Sequence, residues 1–184
     1  MRGREIALMA GLALGLTASR AAAQINANSW YTIAIAASRN ETGRVAELLE
    51  DHENDPDVLD SQSGRTALDF AGVFNNVDMA QLLLIHGAHV DQRDSFGNIA
   101  LHWAAERGSM EMMRLLIAKG ATVDTVNKQG ITPLMVAAEH AQPRAVELLI
   151  ASGADPHKQD FTGRDAFGWA AGKPNIVQAL NAKR

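Results

Sequence analysis

The chain has 184 residues, 47% of them hydrophobic, and a formal net charge of −4 at pH 7. It has no cysteine, which excludes a disulfide framework, a zinc knuckle and a thiol nucleophile. The acid excess argues against nucleic-acid binding, which needs a basic stripe, and the apolar content is too high for a disordered chain.

Taken in chain order, residues 1–23 stand apart. Arg2 and Arg4 open the segment, Ile6 to Ser19 is an uncharged apolar stretch, and Ala21-Ala22-Ala23 supplies small residues at its end. This three-part pattern predicts a secretory signal peptide, cleaved before Gln24. The apolar stretch is shorter than the ~20 residues of a spanning helix. An ordinary N-terminal helix and an uncleaved anchor are the alternatives. No cysteine follows the apolar run, so lipoprotein processing is excluded. The short, Arg-led start points to a Gram-negative periplasm, so the expected localisation is periplasmic or secreted. Cleavage removes three Arg and one Glu, leaving 14 basic and 20 acidic residues and a net charge of −6. Such a chain is soluble and is repelled by anionic membrane surfaces.

The rest of the chain, 24–184, keeps a period. Gly64, Gly97, Gly130 and Gly163 recur at one constant interval, and Gly87, Gly120 and Gly153 recur at the same one. Each of the second set is followed by alanine: Ala88, Ala121 and Ala154. A fixed period of about 33 residues predicts one small unit stacked along an axis. The first glycine set suits tight turns, where positive φ costs little. Thr66, Thr132 and Asp165 stand where a helix begins and are expected to cap it, with Pro133 at a first helical position. Small residues follow: Ala71-Gly72, Ala104-Ala105, Ala137-Ala138 and Ala170-Ala171. They let neighbouring helices approach closely. A second helix carries Leu82-Leu83, Leu115-Leu116 or Leu148-Leu149 and ends at the second glycine in the left-handed conformation. No unit is large enough to bury its own leucines, so each must lean on the next.

The period, together with Thr132-Pro133-Leu134, Leu101-His102-Trp103-Ala104-Ala105 and Gly120-Ala121-Thr122-Val123-Asp124, resembles the ankyrin repeat family over residues 30 to 182. The resemblance implies an all-α solenoid of stacked helix-turn-helix units with protruding loops or β-turn fingers. The units fall at about 29–60, 61–93, 94–126, 127–159 and 160–184. It also implies a curved stack with a concave face and protein binding as the activity. No unit keeps the whole Thr-Pro-Leu-His tetrapeptide. Ile99 replaces the threonine before His102, and Met135 replaces the histidine after Thr132, so the family's Thr–His hydrogen bond is not expected within any one unit. Asp69 is expected to replace it by accepting from Thr66. The end units differ. The first runs from Trp30 to Ala37 and from Val45 to Leu49, with an acidic loop, and the last is one residue short in its second helix and ends in Lys183 and Arg184.

Chemistry has little support. His86 and His89 have a metal-like spacing, but Gly87 breaks the helix between them. Asp51, Glu53, Asp55 and Asp57 alternate like calcium ligands, but Pro56 stands where an EF-hand loop needs glycine. His157 lies between Asp155 and Asp160 with no activated serine. His102 sits at the family's structural position. Trp103 and Trp169 share a repeat position with Phe70 and Val136 and read as packing residues, and Met79, Met110, Met112 and Met113 read as core. Catalytic, cofactor and metal sites are therefore expected to be absent, and the enzyme and metal-protein readings rank last. By the family's layout, the partner-binding candidates are Phe74, Phe96, Asn98, Glu106, Arg107, Lys128, Gln129, Ile131, His140, Phe161 and Arg164, with Phe74, Phe96, Arg107 and Phe161 as anchors. The expected function is an exported, monomeric scaffold or accessory module for an envelope or periplasmic protein. An immunity-type inhibitor of a toxin is the alternative, and the net charge of −6 favours a basic partner slightly. No nucleic acid and, after cleavage, no membrane is expected as partner.

Overall fold

The structure is a computed structural model that describes residues 32–51 and 54–181. The signal peptide read from the sequence, Trp30, and Lys183 with Arg184 lie outside these residues. Within them the chain forms five helix pairs: α1 Ile33–Ser38 with α2 Thr42–Leu49, α3 Ala67–Phe74 with α4 Val77–Ile85, α5 Ala100–Arg107 with α6 Met110–Ala118, α7 Pro133–Glu139 with α8 Pro143–Ala151, and α9 Ala166–Trp169 with α10 Pro174–Asn181. Among the described residues there is no strand. The projecting fingers are turns, and the described residues from 33 to 181 belong to one compact unit.

The caps explain where the first helices begin. Thr66 Oγ1 accepts from the Asp69 N–H at 3.0 Å, and the Asp69 carboxylate accepts from the Thr66 N–H at 2.8 Å. The substitution expected of Asp69 is therefore real, with the backbone N–H as donor. Thr132 accepts from the Met135 N–H and Asp165 from the Gly168 N–H. The third unit has no threonine for the family's Thr–His bond, as the sequence indicates. The Ile99 N–H still donates to His102 Nδ1 at 3.2 Å, because that half of the motif needs only a backbone donor.

The period is set by residues that bear positive φ. The turn glycines Gly64, Gly97, Gly130 and Gly163 lie at φ of 68° to 82°, and Gly87, Gly120 and Gly153 at 91° to 95°. A third set marks the corner after each first helix: Asn40, Asn75, Gly108, Ala141 and Gly172. Asparagine and glycine suit this region, whereas Ala141, at φ 54°, is strained there.

First helices pack against first helices through Ala34, Ala71, Ala104 and Ala137, all fully buried. A Cβ on Gly72 would stand 3.0 Å from the Ala100 carbonyl oxygen, so α3 and α5 are in contact at backbone distance. Second helices bury Met79, Leu83, Met112, Met113, Leu116, Val146 and Leu149 against one another. Each buried leucine stabilises the stack by about 2 kcal/mol. Met110 is only half-buried, so it contributes less core than its spacing suggests. The alanines after the second glycines, Ala88, Ala121 and Ala154, are buried as well.

Outside the core, one contact recurs. The Asp57 carboxylate accepts from the His89 N–H, Asp91 from the Thr122 N–H and Asp124 from the Asp155 N–H. Each such bond ties a loop to the next unit. The last unit is shortened most in α9, which has four residues against seven or eight in α3, α5 and α7. The shortening read in its second helix falls at the edge of the described residues.

Candidate protein-binding surface

Each finger is built on one polar side chain, buried at Asp60, Asp94 and Asp160 and half-buried at Asn127. Asp94 Oδ1 accepts from the Phe96 and Asn98 N–H groups, both at 2.8 Å. Asn127 Oδ1 accepts from the Gln129 and Ile131 N–H groups, and Asp160 Oδ1 from those of Thr162 and Arg164. Asp60 holds Ser63 in the same way through its N–H and hydroxyl. The Thr162 hydroxyl bond, more than any other contact, holds the Asp160 carboxyl down to about 2. Burial opposes the same effect at Asp60, yet the Ser63 bonds keep its pKa below the ordinary value. The sequence places these turns by their glycines but misses the side chains that hold them, although an Asp or Asn stands three positions before Gly97, Gly130 and Gly163.

Neighbouring fingers are joined by single backbone bonds. The Ser95 N–H donates to the Gly64 carbonyl at 2.8 Å, Lys128 to Phe96 at 3.0 Å, and Phe161 to Gln129 at 3.1 Å. Side chains add Lys128 Nζ to the Ser95 carbonyl, Arg93 to the Val126 carbonyl, and Asn127 to Asn98. The finger row is thus a continuous, braced edge.

Two adjoining clefts lie between this edge and the first helices. One, of about 550 Å³, is lined by Lys128, Gln129, Ile131, Glu139, Asp160, Phe161, Thr162, Arg164 and Trp169. The other, of about 160 Å³, is lined by Asn98, His102, Trp103, Glu106, Asn127, Gln129, Ile131, Val136, Glu139 and His140. They share Gln129, Ile131 and Glu139, so they form one groove across the third to fifth units. The structure therefore brings Asn98, Glu106, Lys128, Gln129, Ile131, His140, Phe161 and Arg164 to the groove.

Phe74, Phe96 and Arg107 line neither cleft. Phe74 ends α3, 44% exposed, and stacks on Phe70 at 6.4 Å. Phe96 and Phe161 sit at finger tips, 58% and 75% exposed. Phe161 also leans on the adjacent finger, where a Cβ at Gly130 would meet its ring at 2.8 Å. Arg107 is exposed at the end of α5.

The tryptophans do more than pack. Trp103 and Trp169 are half-buried and line the groove. Each indole is covered on one face by an arginine: Arg65 lies 3.9 Å from the Trp103 ring and Arg164 3.8 Å from that of Trp169. Cation–π contacts of this kind hold the ring orientation. Trp169 Nε1–H also donates to Asp160 Oδ2 at 3.0 Å. His102 is buried, with Nε2–H donating to the Ile131 carbonyl of the next unit at 3.1 Å. Burial pushes its pKa down to about 4, so it stays neutral and joins units. Of the metal-like residues, His89 Nδ1 pairs with Asp57, and that hydrogen bond raises the His89 pKa. Asp57 is thereby used in a contact between units. Among the described residues no helix is long and apolar enough to cross a membrane.

A comparison with curated proteins finds no match. The family model for ankyrin repeats (3 copies) matches the chain twice, over residues 6–94 and 84–160. With its helix pairs, periodic turns and braced fingers, the chain belongs to the ankyrin repeat family and is a protein–protein interaction module.

Proposed function

We propose that the chain is an exported binding module that docks an envelope or periplasmic protein through its fingers and the adjoining groove, and that it acts by binding alone. The groove across the third to fifth units carries this reading, because it offers an apolar floor of Trp103, Ile131, Val136 and Trp169 beside exposed aromatic finger tips. Interfaces draw most of their energy from such aromatic and arginine anchors. The bonds between fingers fix the surface before the partner arrives, so little ordering entropy opposes docking. Export is supported by the Arg-led apolar segment ending in Ala21-Ala22-Ala23.

The test is affinity capture from a periplasmic extract with the parent and with a Phe161→Ala, Arg164→Ala double variant, both residues lining the groove. The double variant is expected to lose the partner while keeping its helical circular dichroism. Undiminished capture places the interface elsewhere. Recovery of the chain from osmotic-shock fluid with Gln24 as its first residue supports export, and recovery from spheroplasts alone contradicts it.

A further inference from the structure

Asp69 and His102 occupy the same place in successive units, one full period apart. Both accept the N–H at the start of their helix: His102 Nδ1 from Ile99, and Asp69 Oδ2 from Thr66. His102 then uses its second nitrogen to donate to the Ile131 carbonyl of the following unit. One repeat earlier, the register puts the Asn98 carbonyl in the place of Ile131's. The two carbonyls have the same local role, since each accepts the N–H that closes its finger, from Asp94 and from Asn127. Asp69 is fully buried, and its Oδ1 has no hydrogen-bond partner. By this register Oδ1 corresponds to the His102 nitrogen that donates to the next unit, a position that calls for a donor. A carboxylic acid supplies one.

We propose that Asp69 carries a proton in the folded chain and uses Oδ1–H to bridge the second unit to the third, as His102 bridges the third to the fourth, and that loss of this proton loosens the junction. The surroundings are consistent with this. Helix α1 presents only Ile33, Ala34, Ile35, Ala36, Ala37 and Ser38, none of them ionisable. Helix α4 has Asp78 as its ionisable residue, and it is exposed to solvent at the start of that helix. From the finger side, Asp94 acts against ionisation and Arg65 in its favour. Helix α5 brings His102, which is neutral, with Glu106 and Arg107 at its far end. Arg65 is committed to the Trp103 face, with its Nε buried and without a partner, so it does not form an ion pair with Asp69. Burial pushes the Asp69 carboxyl up to about 7.

The sign follows from linkage. A pKa raised on folding contributes stability that is complete below the unfolded value and is lost as pH rises through the folded one. The window for Asp69 therefore runs from about 4 to about 7. His102 works in the opposite sense between its ordinary value and about 4, so the parent alone does not isolate Asp69. The Asp69→Asn variant keeps the acceptor for Thr66 and gains a permanent donor, which makes the comparison specific.

The experiment is urea unfolding of parent and Asp69→Asn at each pH, with carbon-13 carboxyl NMR of the parent. The ratio of the variant's folding constant to the parent's is expected to rise on the order of 50- to 100-fold between pH 5 and 7.5. The Asp69 carboxyl resonance is expected to titrate near neutrality. A ratio that stays constant across this range, or a resonance that titrates below pH 5, overturns the proposal. Should the variant fail to fold, the NMR titration of the parent decides alone. The proposal concerns the junction itself and stands whichever partner the groove takes.

Discussion

Replacing Gly130 by alanine tests whether the finger row contributes to the stack. Gly130 lies at φ 81°, and a Cβ there would stand 2.7 Å from the Phe161 nitrogen and 2.8 Å from Phe161 Cδ1. Gly120 is the control, because it has φ 91° but nothing within 4 Å of its Cβ direction. Both variants carry the left-handed strain of about 1–2 kcal/mol. The lower entropy of the unfolded alanine chain offsets about 0.5 kcal/mol of it. Gly120→Ala is therefore expected to lose about 1 kcal/mol. In Gly130→Ala the Phe161 backbone must also move away. That movement sacrifices the 3.1 Å bond from its N–H to the Gln129 carbonyl. The bond adds about 1 kcal/mol, and displacing the ring and backbone adds a similar amount, for a total of about 2–3 kcal/mol. Urea unfolding followed by far-ultraviolet circular dichroism reads both losses, with the slope unchanged if the native surface is retained. Equal losses in the two variants refute the reasoning, since the contact between fingers would then carry no free energy.

Further substitutions test other joints. Ala141→Gly relieves strain at φ 54° and is expected to stabilise the chain by about 0.5–1 kcal/mol, read as a raised urea midpoint; a lowered midpoint contradicts it. Leu116→Ala removes a fully buried side chain between units and is expected to cost about 3–5 kcal/mol in the same assay, whereas a loss below about 1 kcal/mol means that second helices do not lean on one another. The His89 imidazole is expected to titrate above its ordinary value near 6.5 in proton NMR, and its pairing with Asp57 to weaken as pH rises through that titration; titration at 6.5 or below removes the Asp57 pairing from the account. Asp160→Ala is expected to release Trp169 and shift its fluorescence to longer wavelength. In the parent the same release should need acid, as pH falls through about 2, and an unchanged emission in the variant contradicts that role.

Much of the fold is legible because the period is carried by residues with one physical use each. Glycine marks positive φ, threonine marks a cap, and paired alanines mark close helices. The corner after the first helix is harder to read, because asparagine, glycine and alanine all occupy it, and only Ala141 lacks a conformational reason to be there. The groove is less legible. Its floor arises only where two units meet, and a tryptophan at a packing position gives no sign of which face stays open. Arg65 covers Trp103 from the preceding unit, more than a full period earlier in the chain, so the two read as unrelated. Asp94, Asn127 and Asp160 are hidden for a different reason. Polar residues in a loop read as solvated, whereas these three turn inward to bond the backbone of their own turn. Asp69 shows how far sequence reasoning reaches. Its bond to Thr66 is local and readable, whereas its unpartnered oxygen depends on the unit that follows.

Hydrogen exchange of the chain bound to its captured partner tests most directly whether the stacked edge recognises that partner. Protection is expected at the finger turns around 94–98, 127–131 and 160–164 and along α5 and α7, with α6 and α8 unchanged. Protection confined to the second helices, or to a single unit, contradicts it.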